Sequence, residues 1–111
     1  MVEIARGAVV IVAIPGDYGK PRPSIVIESD RFIGDFDSVI ICPMTTDELD
    51  HAVARIAVAP TAANGLRATS KIMVDKILAV PRAKISKVVG KLDPEILARL
   101  NSSLAALLDL R

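Results

Sequence analysis

The sequence predicts a small β-rich barrel or sandwich that carries one C-terminal helix. Of its 111 residues, 51% are hydrophobic but only 3% are aromatic, so the core has to be packed from Val, Ile, Leu and Ala. Such β-branched residues fall in short runs, with turn residues about every ten positions, which is the pattern of strands and not of a helical bundle. A single stretch near the end has helical spacing. The length suits one domain, residues 1–111, burying about two thirds of the surface its unfolded chain exposes.

In chain order, residues 9–14 form a continuous apolar strand that Pro15 and Gly16 end. The loop Gly16-Asp17-Tyr18-Gly19-Lys20-Pro21-Arg22-Pro23 leads into a second strand at 24–29, making a hairpin with a long tip. Residues 30–38 hold Gly34 and three acids and read as a loop. A third strand at 39–42 is expected to stop at Pro43, which leaves Thr45 just past a strand end. An acidic turn follows at 46–50, then a strand at 53–58 with Arg55 pointing outward.

Residues 59–66 read as a turn region whose tight point is Asn64-Gly65, since both residues tolerate φ above zero. The alternation at 70–77 predicts a strand that continues through 78–80 to Pro81, and 86–90 adds a short last one. The helix is marked by Asp93 as N-cap, Pro94 at its first position and Glu95 in the positive first turn, followed by 96–108. Leu97, Leu100, Leu104, Leu107 and Leu108 share one face, a stripe for core or dimer contact.

Several function classes drop out. One cysteine, Cys42, cannot form an internal disulfide and reads as a buried small hydrophobe, which makes the cytoplasm the default compartment. One His, His51, read as a surface residue beside Asp50, and one Cys cannot build a zinc site, so neither metal nor other cofactor is called for, although carboxylates could hold magnesium weakly. The apolar run at 8–14 is far shorter than the ~20 residues of a membrane span and lacks a cleavage pattern. Ser24 and Ser70 have no nearby base for a nucleophilic triad, and the Gly16 to Gly19 spacing lacks the ending of a P-loop.

Net charge is +1, but it is unevenly spread: residues 1–50 carry −5 and residues 51–111 carry +6. Between Arg67 and Lys91 lie seven bases and one acid, Asp75, a face open to a polyanion or an acidic peptide, or simply to solvent. Two polar corners stand out against this. Arg22 is held between prolines, which fix φ and restrict the residue before them, so a planar fork of donors suited to phosphate is aimed by a stiff loop. Thr45 and Thr46 follow the third strand, where paired threonines also commonly cap a turn. Asp75 interrupts an apolar strand, either for catalysis or as an ion pair with Lys76 or Arg82.

Taken in order, these stretches resemble the MazF/PemK toxins over nearly the whole chain. The resemblance is carried by Arg6-Gly7 before an apolar strand, the Gly-x-x-Gly-Lys-Pro-Arg-Pro loop, Cys-Pro-Met-Thr, Asn-Gly-Leu-Arg, and Ser-Lys-Ile-Met-Val-Asp-Lys-Ile. It implies an SH3-like β-barrel and a homodimer. It also implies the toxin half of a type II toxin–antitoxin pair, an endoribonuclease that cuts single-stranded RNA without a metal.

On the matching positions the resemblance puts the family's arginine at Arg22, its threonine at Thr45, a second hydroxyl at Thr46 and an acid at Asp75. RNA contacts are expected from Lys20, Arg67, Lys71, Lys76 and Arg82, and the expected partners are single-stranded RNA, a second copy, and a cognate antitoxin with an acidic or amphipathic C-terminal tail. The chain departs from the family at Ala8 and Val10, where an acid and a Trp are frequent, at Met73, where one branch has Arg, and at Lys76, where Gln is common. Two rivals are a gyrase poison of the CcdB type, which acts through a C-terminal Trp that this chain lacks, and a non-catalytic SH3-like binding module.

Overall fold

Strands β1 (Ala8–Ala13), β2 (Pro21–Val26) and β3 (Ser38–Thr45) form a consecutive antiparallel meander. Their side chains alternate between two cores, which explains why the sequence runs apolar without a polar face. Val9, Ile25, Cys42 and Met44 enter one core, while Val10, Val12, Val26, Val39 and Ile41 enter the other. The computed structural model describes residues 3–14, 16, 20–47 and 54–110. The expected acidic turn at 46–50, His51 and the loop tip at 17–19 therefore lie wholly or partly outside the described residues.

The remaining strands are β4 (Arg55–Val58), β5 (Ser70–Met73), β6 (Leu78–Pro81) and β7 (Ile85–Lys91). Strand order is β4-β5-β3-β2-β1-β7, with β6 paired to β3, so the expected mainly-β fold is the one observed. The two ends of this path, β4 and β7, share no ladder among the described residues, and the segment between β4 and β5 spans the gap. There the Lys91 N–H donates to the Ala63 carbonyl at 2.9 Å. Gly90 makes that approach possible, because a Cβ on it would stand 2.3 Å from the Ala63 carbonyl oxygen.

Strand β3 overturns one expectation. It does not stop at Pro43 but continues to Thr45, and its outer edge changes partner on the way. Residues 38–41 pair with β6, while Met44 and Thr45 pair with β5. The Ile27 N–H donates to the Ile40 carbonyl, and bonded pairs alternate in an antiparallel ladder, so Cys42 is bonded to Ile25 and Pro43 has its nitrogen turned away from β2. That nitrogen falls at the seam between β6 and β5, where no N–H is required.

The long strand expected at 70–80 is likewise two strands, β5 and β6, split by a 3₁₀ turn at Val74–Lys76. Both halves run antiparallel to β3, and the turn lifts Asp75 and Lys76 out of the sheet. At the 59–66 segment only Gly65 has positive φ, +69°. Asn64 acts through its buried side chain, accepting from the N–H groups of Thr61 and Leu66 and donating to the Ala59 carbonyl.

Helix α1 (Pro94–Leu108) starts as its sequence dictates, with the Asp93 carboxylate accepting from the Ile96 N–H at 2.9 Å. Leu100 and Leu104 are buried against Ile56, Val58, Ile72 and Val74. The expected leucine stripe divides there, since Leu107 and Leu108 are exposed.

Candidate active site

Pro21, Arg22 and Pro23 lie inside β2, which begins three residues earlier than the strand expected at 24–29 and ends at Val26. Odd-numbered residues of β2 turn their nitrogens toward β3, as Ile27 does, and even-numbered residues face β1. Pro21 and Pro23 have no N–H to offer β3, so the β2–β3 ladder ends at Ser24–Pro43 while the β1–β2 ladder runs on through Val12–Arg22. On its opposite edge the same end of β3 pairs with β5. A cleft opens between β2 and β3 at that point.

Continued by two residues, the register of Ser24 opposite Pro43 sets Arg22 opposite Thr45 on the same face. Both line a cavity of about 580 Å³ with Ile14, Pro43, Met73, Asp75, Lys76, Ile77 and Leu78. Three expected site residues, Arg22, Thr45 and Asp75, thus meet in one cavity, together with Lys76. Arg22 and Thr45 are half-buried. The Thr45 hydroxyl accepts from the Asp47 N–H at 3.0 Å, so it caps the turn, and its own proton remains available to donate.

Asp75 has a partner that sequence reasoning missed. Arg55 does not point into solvent: its side chain is only 9% exposed and bonds the Asp75 carboxylate, and it also donates to the Ala54 carbonyl at 3.0 Å. Lys76 stands 4.0 Å from the other carboxylate oxygen, and Arg82 is not involved. Partial desolvation opposes ionisation of Asp75. The hydrogen bond from Arg55, one from its own backbone, and the charges of Arg55 and Lys76 outweigh it and hold the carboxyl below the ordinary aspartate range. The lining thus carries two cations, Arg22 and Lys76, against one carboxylate, Asp75, which Arg55 also engages from outside the cavity.

The other expected residues are distributed around this centre. Thr46 faces the opposite side, into a second cavity that Arg67 also lines. Lys71 stands directly across from Thr45 in the β3–β5 pair. Lys20 is exposed immediately before β2. Arg82 is remote: it follows Pro81, which pairs with Ser38, roughly 20 Å along β3 from Thr45. Among the described residues no three His, Cys, Asp or Glu side chains gather as a metal site would need, and no helix is long and apolar enough to cross a membrane.

Cys42 lies buried beside this region, and desolvation pushes its thiol up to about 12, against a smaller opposing effect of Arg6. It is a core residue, as the sequence suggested, and not a nucleophile.

Comparison with known proteins places this chain in a family. The chain is 38% identical over 104 residues to a probable endoribonuclease MazF of Mycolicibacterium smegmatis, covering 93% of this chain and 94% of that protein. Its fold matches a mycobacterial endoribonuclease solved in complex with its cognate antitoxin, with a TM-score of 0.83 at 19% identity over 98% of both chains. It also matches the Mycobacterium tuberculosis toxin MazF-mt6, with a TM-score of 0.79 at 20% identity, covering 94% of this chain and 98% of that one. The family model for PemK-like, MazF-like toxins of type II toxin–antitoxin systems matches residues 5–108, and the chain belongs to that family.

Proposed function

We propose that this toxin is an endoribonuclease that cuts single-stranded RNA at the cavity shared by Arg22 and Thr45. The observation that carries the reading is their register across the cleft that Pro21 and Pro23 open. The kinship to a probable endoribonuclease MazF supports it.

RNA brings its own nucleophile. The 2′-hydroxyl oxygen attacks the adjacent phosphorus, the bond from phosphorus to the 5′-oxygen breaks, and the products are a 2′,3′-cyclic phosphate and a 5′-hydroxyl. The nucleophile's proton leaves to solvent and the leaving oxygen gains one. No metal-bound hydroxide is needed, and the protein has to align the linkage and stabilise the pentacoordinate phosphate. A guanidinium does not deprotonate near neutrality, so Arg22 serves as the electrostatic clamp. Thr45 donates its hydroxyl proton to a phosphate oxygen. Asp75, ionised and engaged by Arg55, is a weak base and acts by holding the turn that presents Lys76.

Two partners complete the reading. A second copy covers the apolar face made by Phe32, Phe36, Ile40, Leu108 and Leu110, which are between 39% and 60% exposed and line a groove of about 760 Å³. A cognate antitoxin covers the cationic side with an acidic or amphipathic C-terminal tail, as cytoplasmic control of a toxin requires. The rival reading as a CcdB-type gyrase poison lacks its C-terminal Trp, because the chain contains none.

The test is cleavage of single-stranded RNA by purified protein in excess EDTA, with chemical mapping of both new ends. Cyclic phosphate and 5′-hydroxyl ends are expected, with activity falling on the order of a hundred- to a thousandfold in Arg22→Ala and in Thr45→Ala while the melting temperature holds. Full cutting by both variants would overturn the assignment.

A further inference from the structure

The second cavity, of about 500 Å³, lies on the other face of the same sheet end. Strand alternation puts it there. Pro21 and Pro23 point to the side opposite Arg22, and Thr46 to the side opposite Thr45, so one chain step separates the two linings. Its walls are apolar, from Ile11, Pro21, Pro23, Leu66 and Val89. Its cations come from two different elements, Arg67 before β5 and Lys87 in β7, with Thr46 and Ser70 as hydroxyls.

The wall that carries Arg67 is fixed in place. Asn64 ties the 59–66 segment to itself through three hydrogen bonds, and Gly65 and Gly90 let that segment lie directly against β7. A preorganised pocket with apolar walls and cations from two elements fits a planar base together with its phosphate.

We propose that this cavity is a second nucleotide subsite, which takes the nucleotide next to the scissile linkage. The base lies against the rings of Pro21 and Pro23, and Arg67 and Lys87 hold its phosphate. The strand crosses from one cavity to the other over the gap that the prolines leave between β2 and β3. This rests on the ribonuclease reading for its substrate, and it assigns Arg67 and Lys87 to substrate positioning and Arg22 to the reacting phosphate.

The test separates the two. Affinity is measured for a hexanucleotide with a 2′-deoxy sugar at every position, which cannot be cut, and cleavage is measured on a ribose hexamer and on a dinucleoside monophosphate that has no second phosphate. In the double variant Arg67→Ala/Lys87→Ala, affinity for the uncleavable hexamer falls at least roughly tenfold. The slope of log affinity against log salt shrinks by about 0.7, the contribution of one phosphate on a single strand. KM rises more for the ribose hexamer than for the dinucleoside, and Arg67→Lys/Lys87→Arg restores hexamer binding.

Unchanged hexamer affinity and salt slope in a folded double variant would overturn the proposal. So would a loss confined to binding of an acidic peptide such as polyglutamate, which would mark the cavity as a protein contact. If wild-type protein cuts neither RNA, the ribonuclease reading fails, and the affinity and salt measurements still decide whether the cavity holds a nucleotide.

Discussion

Arg55, at the start of β4, hydrogen-bonds Asp75 on the turn between β5 and β6, so a carboxylate that lines the candidate site is neutralised by a guanidinium outside its lining. Because the folded carboxyl titrates below its ordinary range, Asp75 adds stability above its unfolded pKa of about 3.9, and that contribution is lost as pH falls through the lower folded value. Asp75→Asn should therefore flatten the acid limb of a stability–pH curve measured by denaturant unfolding. In Arg55→Ala, NMR titration should find the Asp75 carboxyl closer to its ordinary value. RNA cleavage by Asp75→Asn should stay within roughly tenfold of wild type, against the far larger loss at Arg22.

The prolines beside Arg22 have a consequence that substitution reveals. Pro23→Ala returns an N–H facing β3, which can extend the β2–β3 ladder past Ser24 and narrow the cleft. Stability should change by no more than about 1 kcal/mol, the cost of chain freedom being offset by the added bond. RNA cleavage should fall, and hydrogen exchange should show a protected amide at the substituted position.

Ser24 is fully buried, and its hydroxyl has no partner among the described residues. Ser24→Ala removes an unsatisfied polar atom without opening a large void, so unfolding free energy should be unchanged or higher by about 1 kcal/mol. A clear loss of stability would show that the hydroxyl is bonded in solution.

Asn64 carries the segment that shuts the gap between β4 and β7. Asn64→Ala strands the N–H groups of Thr61 and Leu66 and should cost about 2–4 kcal/mol in denaturant unfolding. Gly90→Ala drives a methyl into the backbone at Ala63 and should cost about 1–3 kcal/mol, read as a lower melting temperature.

Cys42 should resist thiol reagents in the native protein and react once unfolded. Its folded pKa lies near 12 against an ordinary 9.0. The stability it contributes is intact below about pH 9 and is lost as pH rises through the folded value, so Cys42→Ala should weaken the alkaline fall in stability.

Much of this molecule was legible in the sequence. Unbroken aliphatic runs at β1, β2 and β3 announced strands covered on both faces, and Asp93-Pro94-Glu95 announced the helix. Arg22 and Thr45 were legible as a pair only through family resemblance, and register then accounts for their meeting. What stayed hidden depends on neighbours. Whether Pro43 stops a strand is decided by which way its nitrogen faces, and that follows from a partner change no local pattern displays. The turn at Val74–Lys76 keeps the alternation of a strand until Asp75, so periodicity could not separate β5 from β6. Arg55 finds its carboxylate 20 positions away, beyond the reach of any spacing rule.

Strand edges invite extended peptides to add themselves as further strands, and they do so through main-chain donors and acceptors. Along the stretch of β2 that borders the cleft, the prolines have stripped every donor at odd positions. A guest backbone laid along that rim meets carbonyl acceptors without donors, so it gains only half of a ladder's hydrogen bonds there.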